Sequence, residues 1–299
     1  MTLIVGKIKN NKIRFFSDSK ITDENSVRNN ALSGNLKLYI INPVTCIGFA
    51  GNVYFAEKFL SELYSNKLRS FSQLVERCLK LNIESDNKTV FCIGLLNQNA
   101  SPQLFKIDNN KIEVSRTDIW IGEKLGFEKY QESYHSYDSK EDDFLKMEKA
   151  FNEVIKDEKI PTVSDFQISV ETEFSLENNI GFLYGLKAKM HFGQQSFTIS
   201  GEDRIKEIPI TFGGADIGAS GITYLRSFSF LQPAIAIHFP QGEFGVLFYP
   251  MINQNKPIII TNQPDGEDFA NEVLKIYGIR LQGMVAKDGH AIKYIITGK

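Results

Sequence analysis

Residues 2–51 constrain the fold more tightly than any other stretch of this 299-residue chain. TLIVGKI and KIRFFSDSK are short apolar-rich runs separated by Asn10 and Asn11. Paired asparagines tolerate the left-handed backbone of a tight hairpin, so the spacing predicts two antiparallel strands. The second strand then delivers Asp18 beside the start of the first. NLKLYII predicts a third strand carrying Lys37, and VTCIGFAG a fourth ending on Gly51. Thr2 becomes the chain terminus if Met1 is removed, and a small second residue permits that removal. A terminal threonine carries a hydroxyl and a free α-amine on one residue, a nucleophile with its own base.

Thr2, Asp18, Lys37 and Gly51, in this order and near this spacing, resemble the proteasome-type β subunits of the N-terminal-nucleophile hydrolases. That family has a mature N-terminal Thr, an acid closing the second strand, a Lys on the third and a Gly ending the fourth. The likeness runs to about Leu63, with room for an insertion between Thr22 and Lys37. It implies Thr2, Asp18, Lys37 and Gly51 as catalytic residues, with substrate contacts from Ile21, Thr22 and Phe49. It also implies an α+β fold, the four-layer sandwich of two mainly antiparallel sheets flanked by helices.

The chemistry of each role follows. A threonine hydroxyl attacks poorly until a base takes its proton. An α-amine titrates near 7.7–8.0 and is partly neutral at working pH. A lysine ammonium stabilises the developing alkoxide and depresses the amine, and a carboxylate keeps that lysine charged and aimed. The Gly51 N–H donates to the oxyanion, and glycine lets the substrate approach the backbone closely. Attack on a peptide carbonyl gives an acyl-Thr ester that water, or another amine, releases. Taken singly, each residue has an ordinary reading. Thr2 suits an edge strand, Asp18 a strand end, Lys37 a solvated face and Gly51 a bend. Their order carries the inference.

The remainder predicts helices over Ala56–Leu63 and from Ser70, where Gln73 completes a capping box. TVFCIGLL, PQLFKID, KIEVSR and DIWIG read as strands. The turn after DIWIG places Glu123 where the family has a serine near its threonine. QESYHSYDSK (131–140) reads as a surface loop, and Ser139 as the cap of a helix buried along Phe144, Met147, Phe151, Val154 and Ile155, closed by Pro161. Residues 165–174 fit either period, with a lean toward helix. FLYGLKAKMHF and QSFTISG read as paired strands. The family's late Asp and Ser have no clean match. Asp216 with Ser220, and Glu177 with Asn178, are the nearest pairs.

Beyond a core of residues 1–208, residues 209–299 read as an α+β extension. It has hairpins around Gln241–Gly242 and Asp288–Gly289, a strand KPIIIT, and a helix from Glu267 to Tyr277 that stops at Gly278. Alternatively AIAIHFPQGEFGVLF is the last core hairpin, and the insertion lies near 160–210.

A net charge of −2 leaves no footprint for nucleic acid or an anionic membrane. No apolar run approaches the roughly 20 residues of a span, and the N-terminus lacks the pattern of a secretory signal. Cys46, Cys78 and Cys92 sit in apolar contexts and read as buried thiols of a reducing cytosol. Scattered histidines (His135, His191, His238, His290) predict neither a metal nor a cofactor. The expected function is a cytoplasmic threonine peptidase acting on a peptide or protein substrate, with homo-oligomers implied by the resemblance. Two alternatives stay open: a transpeptidase or protein ligase using the same acyl-Thr, and a catalytically idle assembly or binding subunit.

Overall fold

The computed structural model describes residues 2–19, 35–65, 67–68, 70–97, 100–157, 159–160, 162–163, 166–174, 179–185, 189–190, 194–200, 205–211, 223–287 and 290–296. In chain order the first half comprises β1 (Leu3–Lys9), β2 (Lys12–Asp18), β3 (Leu38–Asn42), β4 (Thr45–Gly51), α1 (Val53–Tyr64) and α2 (Phe71–Glu84). There follow β5 (Thr89–Asn97), β6 (Ala100–Asp108), β7 (Lys111–Ser115), β8 (Asp118–Gly122), α3 (Lys124–Ser136) and α4 (Asp143–Lys156). Next come β9 (Phe166–Phe174), β10 (Ile180–Tyr184), β11 (Lys189–Met190), β12 (Gln194–Ser200) and β13 (Ile205–Thr211). The C-terminal part holds β14 (Thr223–Ser227), β15 (Ile235–Phe239), β16 (Phe244–Phe248), α5 (Pro250–Asn253), β17 (Ile258–Thr261), α6 (Gly266–Tyr277), β18 (Leu281–Lys287) and β19 (His290–Ile296).

These elements form a mixed α and β fold with three large antiparallel sheets and one separate hairpin. The first sheet runs β10-β9-β2-β1-β8, with β11 also on β9. The second runs β3-β4-β5-β6-β7 and the third β17-β16-β15-β14-β18-β19, while β12 pairs only with β13. Asn10 and Asn11 sit at φ 51° and 59°, as the hairpin requires, and Asn109 and Asn110 repeat the device between β6 and β7.

The alternation of β1 decides the packing. Leu3 and Val5 join Phe16 in a cluster with Tyr130 and Tyr134 of α3 and Met147, Phe151 and Val154 of α4. Ile4 faces the other way. A Cβ on Gly48 of β4 would lie 2.8 Å from Ile4 Cδ1, and one on Gly94 of β5 would lie 2.6 Å from a ring carbon of Phe15. The first two sheets therefore pack face to face, closely enough that glycine is needed between them. On the far side of the second sheet, Phe59 of α1 meets Phe91 of β5 at 5.9 Å between ring centroids. The third sheet places Leu225, Ala236 and Leu247 against Phe269 and Val273 of α6. Its opposite face (Tyr224, Ile237, Phe239, Val246) belongs to one hydrophobic cluster with Ile4, Phe15 and Phe59. The division expected after residue 208 falls within β13.

Four expectations are corrected. Residues 131–136 are the end of α3 and not a loop. Glu132, His135 and Ser136 are exposed, while Tyr130, Ser133 and Tyr134 are buried. The cap of α4 is Asp142, whose Oδ1 accepts from the N–H groups of Phe144 and Leu145 at 3.0 Å, in place of Ser139. Residues 166–174 are a strand: Phe15 pairs with Val170 and Ser17 with Ile168. The Thr172 hydroxyl both accepts from Ile13 N (2.8 Å) and donates to Ile13 O (3.0 Å). QSFTISG pairs with IKEIPIT of β13, not with FLYG, which pairs with β9. Pro161, Glu177, Asn178, Asp216, Ser220 and the Asp288–Gly289 turn lie outside the described residues.

His238 of β15 is buried, and its Nε2 lies 2.7 Å from Gln263 O. Burial holds its pKa below the ordinary histidine value, outweighing the Gln263 carbonyl and the nearby Asp265 and Asp268. The folded state therefore binds fewer protons than the unfolded chain. That relative stability is full above the unfolded pKa near 6.5 and is lost as pH falls through it toward the lower folded value. Tm is expected to fall between about pH 7 and pH 5, and less steeply in His238→Gln; equal slopes in thermal melts would refute this.

Candidate active site

The beginning of β1 is clamped from two sides. Thr2 is buried, and its carbonyl accepts from Glu123 N at 2.7 Å at the start of α3. Leu3 N donates to Asp18 Oδ1 at 3.1 Å at the end of β2. The other carboxylate oxygen, Asp18 Oδ2, accepts from Lys37 Nζ at 2.9 Å. Both members of this ion pair are closed to solvent, Asp18 at 0% exposure and Lys37 at 2%. Lys37 is fixed through its backbone as well, its carbonyl accepting from Phe49 N at 3.2 Å. Opposite Asp18 across the β2–β9 ladder stands Gln167, itself buried.

Gly51 and Gly122 close two strands beside Thr2, both at φ +103°. That backbone region strains any residue with a Cβ. A Cβ on Gly122 would also lie 1.7 Å from Thr2 O. Gly122→Ala is expected to displace Thr2 and abolish any activity that depends on it. A backbone cost of about 1–3 kcal/mol should accompany the loss. Full activity in Gly122→Ala, measured beside a chemical denaturation curve, would show that the position of Thr2 is immaterial.

The structure thus brings together four of the sequence-derived residues. Thr2 and Gly51 line one pocket of about 320 Å³ with Gly122. Asp18 and Lys37 are paired one residue along from Thr2. Phe49 does not line that pocket; buried at 3% exposure, it stacks on Tyr39 with ring centroids 5.9 Å apart. Ile21 and Thr22 lie outside the described residues. The Glu123 carboxylate accepts from Leu125 N (3.4 Å) and from the Thr162 hydroxyl (3.2 Å). It caps its own helix, while its backbone holds Thr2.

Neither a protein-family model nor a curated protein matches the sequence. Among solved structures, eukaryotic HslV from Trypanosoma brucei is similar to part of the chain. The match covers 54% of this chain and 93% of that one, at 19% identity and a TM-score of 0.40.

The contacts made by Gly122, Glu123, Thr162 and Gln167 were not singled out from sequence. Only the glycine had a signal, a small residue ending a strand directly before a helix. The cysteines take no part in this site. Cys46, Cys78 and Cys92 are free and buried, and burial pushes the Cys92 thiol to about 12. Such thiols are protonated and inert at neutral pH. Among the described residues no cluster of His, Cys, Asp and Glu could hold a metal ion, and no helix is long and apolar enough to cross a membrane.

Proposed function

We propose that the chain is a threonine amidohydrolase of the N-terminal-nucleophile type, cleaving peptide bonds through an acyl ester on Thr2 once Met1 is removed. The observation that carries this reading is the buried Lys37–Asp18 pair, joined by hydrogen bond to the residue next to Thr2. Withdrawing two charges from water costs several kcal/mol per ion before their attraction offsets it, so such a pair is a weak stabiliser. A buried ionisable pair beside a free hydroxyl and amine has a functional rationale that a core position lacks. In this reading the α-amine takes the hydroxyl proton, and Lys37 stabilises the alkoxide. Asp18 holds Lys37 charged, and the Gly51 N–H donates to the oxyanion. The helix pair α3–α4, the two facing sheets and the helix pair α1–α2 would be the four layers of that sandwich. The β14–β19 sheet and α6 would be an addition to it. A homo-oligomer remains part of the proposal through the resemblance alone, and a cytoplasmic location through the three free, buried thiols.

The test is an intact mass of the purified protein beside product mass spectrometry on an unfolded polypeptide. Loss of one methionine together with new hydrolysed ends supports the reading, and retention of Met1 without cleavage rejects it. Products joined to an added amine would shift the reaction to transpeptidation. The idle-subunit reading draws on Phe49, packed against Tyr39 where the resemblance puts the pocket for the residue before the scissile bond. Retained Met1 would favour it.

A further inference from the structure

We infer that the pocket at Thr2 is a subsite for an apolar substrate group bearing a carboxylate, and that Lys88 selects the charge. This deepens the peptidase reading and rests on it for placing a substrate at Thr2. The pocket, about 320 Å³, lies at the small end of the roughly 300–1,000 Å³ typical of ligand sites. That size suits one side chain and its neighbouring group. Its walls include Val90, Trp120 and Ile121, and its charged members are Lys88, Lys106 and Asp108. Two ammonium groups against one carboxylate leave the pocket with an excess of one positive charge.

The two lysines are not equivalent. Lys106 Nζ lies 3.3 Å from Asp108 Oδ2 and 5.2 Å from the centre of the Trp120 ring, so its charge is already engaged. Lys88 is exposed, and among the described residues it pairs with no carboxylate. Its backbone is fixed at the proposed oxyanion donor. The Lys88 carbonyl accepts from Asn52 N at 3.2 Å and would lie 1.8 Å from a Cβ on Gly51. The side chain therefore starts from an anchored position next to the reacting groups. A carboxylate reaching Lys88 would gain a charge-assisted hydrogen bond at the edge of an apolar wall, where Coulomb attraction is stronger than in bulk water. A carboxamide in its place would not. The substrate class this favours is a peptide with an apolar residue ending in a free carboxylate within reach of Thr2.

Titration calorimetry on Thr2→Ala separates binding from turnover. The probes are N-acetyl-Leu-Leu as the free acid and as its carboxamide. The acid is expected to bind about tenfold more tightly than the amide, with added salt weakening the acid alone. Adding Lys88→Met should equalise the two probes, and Lys88→Glu should reverse their order. Thermal melts check that these exposed substitutions leave the fold intact. Equal affinities, binding of neither probe, or a preference that survives Lys88→Met would overturn the inference. Peptidase activity is judged separately by turnover in the unsubstituted protein. Acid preference without turnover would leave the subsite standing and remove the catalytic reading.

Discussion

Replacing Thr2 by Ala is expected to lower peptide turnover by roughly 10⁴-fold or more while leaving the melting curve in place, because removal of a covalent nucleophile eliminates the acyl route entirely. Stability should hold because the structural tie of Thr2 is its carbonyl, bonded to Glu123 N at 2.7 Å, and alanine keeps that carbonyl. A change of about 1 kcal/mol or less is the expected scale for truncating one small buried side chain. Two companions sharpen the result. Thr2→Ser retains a hydroxyl and an amine and should keep measurable turnover. One residue placed ahead of Thr2 and left uncleaved keeps the hydroxyl but converts the amine to an amide. That protein should be as inactive as Thr2→Ala if the amine is the base. Activity in the extended protein would assign the base elsewhere, and undiminished cleavage by Thr2→Ala would end the threonine mechanism.

The half of the fold that depends on local signals was legible in the sequence. The Asn10–Asn11 turn fixed the register of β1 on β2, and with it the arrival of Asp18 at Leu3. The Ser70–Gln73 capping box is present as expected. Gly278 ends α6 in a left-handed conformation. What was not legible depended on partners distant in sequence. Residues 166–174 fit two periods, and pairing with β2, some 150 residues earlier, and with β10 selects the strand. A single-sequence window sees the period and not the partner. The end of α3 was hidden for a related reason, since two of its four buried residues, Gly126 and Ser133, carry no large apolar side chain and its outer face reads like a loop.

The site divides in the same way. Order along the chain suggested Thr2, Asp18, Lys37 and Gly51, but by solvation statistics Lys37 alone belonged on the outside. It is buried because Asp18, at the end of β2, meets it at 2.9 Å just before β3 of the other sheet, a contact that no local pattern displays. Glu123 shows the converse. Its side chain departs from the expected serine, while its backbone N–H holds Thr2 whatever the side chain is. Backbone donors carry no letter in the sequence, so this contact was invisible until β8 was seen beside β1.

Lys37→Met is expected to lose turnover and also about 3–5 kcal/mol of stability, because it strands the Asp18 carboxylate in the interior. Combining it with Asp18→Asn removes both charges together. The double variant should regain most of the lost stability, since replacing a whole buried pair is often close to neutral, yet remain inactive. Urea denaturation of the parent, both single variants and the double variant gives the coupling directly. If the two single losses simply add, the pair is not coupled and cannot be the device that keeps Lys37 charged beside Thr2. If instead stability returns and activity does not, the ion pair is retained for its chemistry and not for the fold.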